Sequence, residues 1–214
     1  MGEPRKSWTG WGLYGVCCAA VALLAGLIWY GRSAPAATAS PDRVPVLGAV
    51  CDFHLTERSG TQVQLQSLAG RPWIAGFIFT RCGGICPALT ARMAWLQKQL
   101  SPDQNRAIRL VSISVDPEYD SPAVLREYAK RFGADPQSWL FLTGPRPEVY
   151  RLVHDCFKLM MVELPAEQQA GSDEPIAHSD RLVLVDGTAR IRGYYRGSQQ
   201  VVLEQLKRDL AALQ

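Results

Sequence analysis

The stretch WIAGFIFTRCGGICPALTARM, residues 73–93, limits the fold more than any other part of the 214-residue sequence. Its first half is an apolar run bounded by turn signals, the pattern of a strand buried on both faces. Pro87 suits the first position of a helix, and Leu89, Met93, Leu96 and Leu100 then recur at helical spacing as far as the breaker SPDQN. Cys82 falls in the loop after the strand, and Cys86, just before Pro87, is expected at the helix N-cap.

The flanking segments say what surrounds this unit. Alternation on either side of Ser59-Gly60 predicts a hairpin, and AIRLVSISVDP a second strand. SPAVLREYAKRFG reads as a helix capped by Asp120 or Ser121, with Leu125, Tyr128, Ala129 and Phe132 inward and Gly133 as its stop. SWLFLTG follows as a short strand, then RPEVYRLVHDCFKL as a helix with Val149, Leu152, Val153 and Cys156 on one side. Residues 162–177 are polar with Gly and Pro, which predicts a long loop, and such loops in compact domains are often functional. A hairpin around Asp186-Gly187 and an amphipathic helix close the chain. This order gives an α/β fold, a mixed sheet flanked by helices of the thioredoxin-like kind with an extra hairpin at each end.

The N-terminal part is different. Residues 11–30 carry no charged side chain over twenty positions, about the length a helix needs to cross a bilayer, with Trp11 and Tyr14 at one end and Trp29 and Tyr30 at the other. The expected organisation is a short tail at 1–10, a transmembrane anchor at 11–31, an Ala/Pro/Ser-rich linker at 32–45, and one folded domain at 46–214. A cleaved signal peptide is the other reading, with APA at 34–36 as the cleavage site, and either one exports the domain. The formal charge is +3, of which residues 1–32 hold +2, so the domain lacks the clustered basic residues of a nucleic-acid-binding surface. Cys17 and Cys18 inside the apolar run are small fillers.

A helix N-terminus favours an anion, so a thiol pair there is expected to be reactive and partly accessible. Gly83 and Gly84 let the loop bring the sulfurs together or spread them around a metal. A permanent structural disulfide is the bland alternative, but a bridge closing so small a loop stabilises little. His178, at the end of the long loop and just before a strand, is a third donor that could reach the thiols. Two thiolates and an imidazole form a soft, low-coordinate set suited to Cu(I) and tolerant of Cu(II), whereas structural zinc wants a fourth protein ligand.

The segments FIFTRCGGICPALTARM, VSISVDPEYDSPAVLREYAKRFGAD and HSDRLVLVDGTARIRGYY together resemble the Sco/SenC family of membrane-anchored, thioredoxin-like copper proteins that assist assembly of the binuclear copper centre of cytochrome c oxidase. The resemblance implies Cys82, Cys86 and His178 as copper ligands and a copper-accepting oxidase subunit as partner, supplied by an upstream copper donor or thiol reductant. The domain would then lie in a bacterial periplasm or a mitochondrial intermembrane space. Asp116 and Asp120 match acidic positions near the family's site, while as residues they read equally well as turn former and helix cap. Gly83-Gly84 departs from the family pattern by removing an acidic side chain. Cys51, at a strand start, and Cys156, on an inward helical stripe, have no place in that site; Cys156 reads as a buried inert thiol, or the two pair with each other. Met160 and Met161 read as core fillers, and His54 and His154 have no motif support.

Two functions follow. One is a copper metallochaperone that passes a single copper by ligand exchange. The other is a thiol-disulfide oxidoreductase cycling Cys82 and Cys86 to reduce a partner's cysteines. A peroxidase of the peroxiredoxin type is disfavoured by a second thiol four residues away in the same turn.

Overall fold

The computed structural model describes residues 44–100, 107–164 and 176–213, with Leu23 and Asp103 as isolated further positions. The tail, the apolar run 11–30 apart from Leu23, and all of the linker up to residue 43 lie outside the described residues. Among the described residues no helix is long and apolar enough to cross a membrane.

In chain order the elements are β1 (Gly48–Ala49), the hairpin β2 (His54–Glu57) and β3 (Gln62–Gln64), a 3-10 turn at Leu65–Leu68, β4 (Trp73–Ile78), α1 (Ile85–Gln99), β5 (Arg109–Ser114), α2 (Pro122–Arg131) and β6 (Trp139–Thr143). Helix α3 (Arg146–Arg151) runs into a π turn at Leu152–Cys156. Then come β7 (Met161–Glu163), β8 (Ile176–His178), the hairpin β9 (Arg181–Val185) and β10 (Arg190–Arg196), and α4 (Gln200–Ala211). Eight strands form one mixed sheet in the order β1-β10-β9-β4-β5-β6-β2-β3, and β7 and β8 form a separate two-stranded ladder.

Strands β4, β5 and β6 are parallel, with Trp73 opposite Arg109 and Leu110 opposite Trp139, while β9 and β2 flank them antiparallel. β4 and β6 are buried at every position because helices cover the central sheet; α1 packs on β4, α2 on β6 and α4 on β10. Trp73, Phe77 and Phe157 meet edge to face, at 6.0 and 5.0 Å between ring centroids, and pin the π turn against β4.

Ahead of the expected boundary at residue 46, Val44 is buried and its carbonyl accepts from the Arg192 guanidinium. Several expectations are corrected. Residues 162–177 are not loop throughout: Met161 and Ile176 bury their side chains and pair their strands as β7 and β8, leaving 165–175 outside the described residues. Of the two readings of Cys156, the inert thiol gives way to the pairing: it is disulfide-bonded to Cys51 across 105 residues, with Cα atoms 5.5 Å apart. Cys51 precedes β2 rather than starting a strand. Met161 fills the core as expected, but Met160, just ahead of β7, is 78% exposed.

Candidate metal and thiol site

Helix α1 starts two residues earlier than its sequence suggests. Gly84 is the N-cap and provides no side-chain hydrogen bond, Cys86 is the second helical residue and Pro87 the third. Proline is tolerated there because the first-turn N–H groups have no partner within the helix. At this position Cys86 joins the inward stripe of Leu89, Thr90 and Met93. Both sulfurs are therefore less accessible than expected, with Cys82 6% and Cys86 0% exposed. Neither is disulfide-bonded.

His178 ends β8, opposite Met161 on β7. Its Nε2 lies 2.9 Å from Cys86 Sγ, and its Nδ1 lies 3.1 Å from the Ser179 carbonyl oxygen. A carbonyl only accepts, so Nδ1 carries the proton and Nε2 turns its lone pair to the thiol. Phe79, at the end of β4, meets the imidazole edge to face at 5.6 Å and limits its rotation. The structure thus joins two of the three expected donors across 92 residues of chain. It does not gather a full set: among the described residues no three His, Cys, Asp or Glu side chains cluster to hold a metal. Cys82 lies on the glycine-containing turn before α1.

The two acids after β5 hold the start of that turn. Asp120, fully buried, accepts from Thr80 N at 3.1 Å, Thr80 Oγ1 at 2.5 Å and Ser114 Oγ at 2.6 Å. Asp116 accepts from Arg81 Nε at 2.6 Å, and the Arg81 guanidinium stacks on Tyr119 at 5.2 Å. The two residues immediately before Cys82 are thereby fastened to the 116–120 segment. Asp120 is not the cap of α2, a role taken by Ser121, whose Oγ accepts from Val124 N. Burial pushes the Asp120 carboxyl up, against the pull of its three donors.

Thr90 and Tyr128 back the helix under Cys86. Thr90 Oγ1 donates to the Cys86 carbonyl at 2.8 Å and lies 2.9 Å from Tyr128 Oη, which therefore donates to it. Burial, with the neighbouring sulfurs adding to it, pushes the Tyr128 hydroxyl up to about 12, so it stays protonated and works as a donor. Thr90 was outside the expected site; its i+4 spacing from Cys86 was the available signal. On the outer side His178 borders an open cleft of about 670 Å³ shared with Lys158, Met160, Val162, Arg181 and Tyr194.

The family model described as SCO1/SenC matches residues 47–213. The chain belongs to the SCO1/SenC family. The SCO1 protein homolog of Bacillus subtilis is 33% identical over 159 residues, covering 74% of this chain and 79% of that protein. The structure of BsSco, a member of the Sco family of cytochrome c oxidase assembly proteins in which a disulfide switch was identified, aligns with a TM-score of 0.65 at 31% identity, over 79% of this chain and 97% of that one. Yeast Sco1 with copper bound aligns with a TM-score of 0.61 at 28% identity, over 76% and 88% of the two chains. The SCO1/SenC fold is the thioredoxin-like architecture read from the element order, with β4, the Cys82–Cys86 turn and α1 at its centre.

Proposed function

We propose that this SCO1/SenC protein is a copper metallochaperone. It binds one copper through Cys82, Cys86 and His178 and delivers it during assembly of the binuclear copper centre of cytochrome c oxidase. The observation that carries the reading is the 2.9 Å approach of His178 Nε2 to Cys86 Sγ, with Cys82 four residues away on the same turn. The copper-bound yeast relative and the oxidase-assembly role stated for BsSco support it.

The donor set fits the cargo. Two sulfurs and one imidazole nitrogen suit Cu(I), and binding releases the thiol protons. The Ser179 carbonyl fixes which nitrogen faces the metal, and the Asp116 and Asp120 contacts fix where the Cys82 turn begins. Gly83 and Gly84 give the turn the freedom to set Cys82 beside the Cys86–His178 pair around the metal. Residues 11–31 would anchor the domain on the exported side, and the Cys51–Cys156 disulfide suits such an oxidising compartment.

A second reading, thiol-disulfide oxidoreductase, draws on the two thiols sharing one turn apart from the disulfide. One thiolate would attack a partner disulfide and the other would resolve the mixed disulfide, moving two electrons to the partner.

Cu(I) titration of the full chain, reduced and oxidised, tests both readings. The metallochaperone binds one Cu(I) only when reduced, and His178→Ala weakens that binding more than about tenfold, or ~1.4 kcal/mol. Unchanged affinity in the variant, together with reduction of a partner disulfide that Cys82→Ser abolishes, would establish the oxidoreductase instead.

A further inference from the structure

A second cleft, of about 550 Å³, lies beneath the turn of the β2–β3 hairpin, between the start of β5, helix α2 and the approach to β6. It is unconnected with the thiols. Arg109 in its wall pairs with Trp73 at the beginning of β4, and Cys82 follows the far end of that strand, roughly 16 Å away along the sheet.

The lining holds three guanidinium groups, Arg58, Arg109 and Arg126, against one carboxylate, Glu57, so three positive charges less one negative leave +2. Glu57 is already engaged: one oxygen accepts from Ser59 N at 2.6 Å, and the other lies 3.3 Å from Phe141 N and 3.5 Å from Arg58 Nε. Arg58 has a side chain only 8% exposed and packs over the Phe141 ring at 5.1 Å. Among the described residues its Nη1 is buried without a hydrogen-bond partner, and so is Nε of Arg109. Arg126 donates one Nη2 bond to the Arg58 carbonyl, at 2.9 Å, which ties α2 to the hairpin.

Arginine keeps its charge at neutral pH even when burial opposes it. Desolvation draws both Arg58 and Arg109 down; Glu57 and Asp135 pull Arg58 back up, while Arg71 adds its repulsion at Arg109, and the cleft lining itself holds three guanidinium groups to one carboxylate. We propose that this cleft is a binding site for a phosphate-class oxyanion, held by Arg58, Arg109 and Arg126. The planar guanidinium fork matches the oxygen spacing of phosphate, and the charge of the lining matches a phosphate near neutral pH. Thr61 and Ser67 contribute hydroxyl donors at the rim. The phosphate could be free or carried on a lipid headgroup, and the chemistry of recognition is the same.

Calorimetric titration of the full chain with inorganic phosphate, glycerol phosphate and chloride, at matched ionic strength, tests the site. Saturable 1:1 binding of a phosphate compound, absent with chloride, is expected, and the Arg109→Gln/Arg126→Gln double variant should weaken it at least tenfold. Tighter binding of glycerol phosphate assigns the headgroup source, and tighter binding of inorganic phosphate the free ion. Arg126→Gln alone, at an exposed position, gives a smaller loss and serves if the double variant does not fold. Non-saturable heat, an equal response to chloride, or unchanged affinity in the variants would overturn the proposal. Copper stoichiometry should be unaffected throughout.

Discussion

His178 and Cys86 stand 2.9 Å apart, nitrogen to sulfur, and the ring is held from behind by the Ser179 carbonyl. The imidazole therefore covers a thiol that is already fully buried, while Cys82 retains 6% exposure. Alkylation of the reduced, metal-free protein should label Cys82 several-fold faster than Cys86. His178→Ala should uncover Cys86 and narrow the gap, and urea should abolish it. Mass spectrometry of the labelled peptides reads this directly, and faster labelling of Cys86 in the native protein would contradict the placement.

Asp120 is expected to separate the effects of charge and hydrogen bonding. Asp120→Ala strands the Thr80 N–H and two hydroxyls and should cost about 2–4 kcal/mol. Asn keeps an acceptor and adds a donor that a hydroxyl can receive, so Asp120→Asn should lie within about 1 kcal/mol of the parent. The carboxyl is raised by burial, so its folded value lies above the unfolded one near 3.9. Its favourable contribution is complete below that unfolded value and is lost as pH rises through the folded one. Urea unfolding across pH should show the Asn variant gaining on the parent from acid toward neutral.

Asp186 has the opposite sign. Burial works against its charge, but donors from Arg192, Thr188 and Arg190 outweigh it and hold the carboxyl well below the usual range. Arg192 Nη1 and Arg190 Nε lie 2.8 and 2.9 Å from one oxygen, and Thr188 bonds the other. Stability from this group is present above the unfolded value near 3.9 and fades as pH falls toward the depressed folded one. Asp186→Asn should cost about 2 kcal/mol at pH 7, with the difference shrinking in acid; a constant difference would rule out charge as the cause.

The Cys51–Cys156 disulfide closes a loop of 105 residues, for which chain entropy alone suggests about 4.7 kcal/mol. Cys51→Ser/Cys156→Ser should lower unfolding stability by about 2–5 kcal/mol. Cu(I) stoichiometry should stay at one, since neither residue belongs to the proposed ligand set. Loss of copper binding in a folded double variant would mean that the two sites are coupled through β4 and the π turn.

Much of this architecture could be read from local pattern. The apolar run Trp73–Ile78 and the Asp186-Gly187 turn each appear in the structure as read, because burial on two faces and hairpin geometry leave direct marks on neighbouring residues. The start of α1 was misplaced because Pro87 is acceptable anywhere in a first turn, so it does not mark a single position. The β7–β8 ladder was missed because three-residue strands carry too little alternation to stand out in a polar stretch.

The sequence by itself determined which residues have the chemistry: two thiols flanking a strand-to-helix turn, and a histidine ahead of the final hairpin. Their types and local positions are written in the chain. Only the tertiary structure decided that Cys86 faces His178, that Asp116 and Asp120 fasten Arg81 and Thr80, and that Cys51 joins Cys156. Each of these joins segments 35 to 105 residues apart. Such partners are chosen by sheet register and by the burial of the whole core, which no local window of sequence contains.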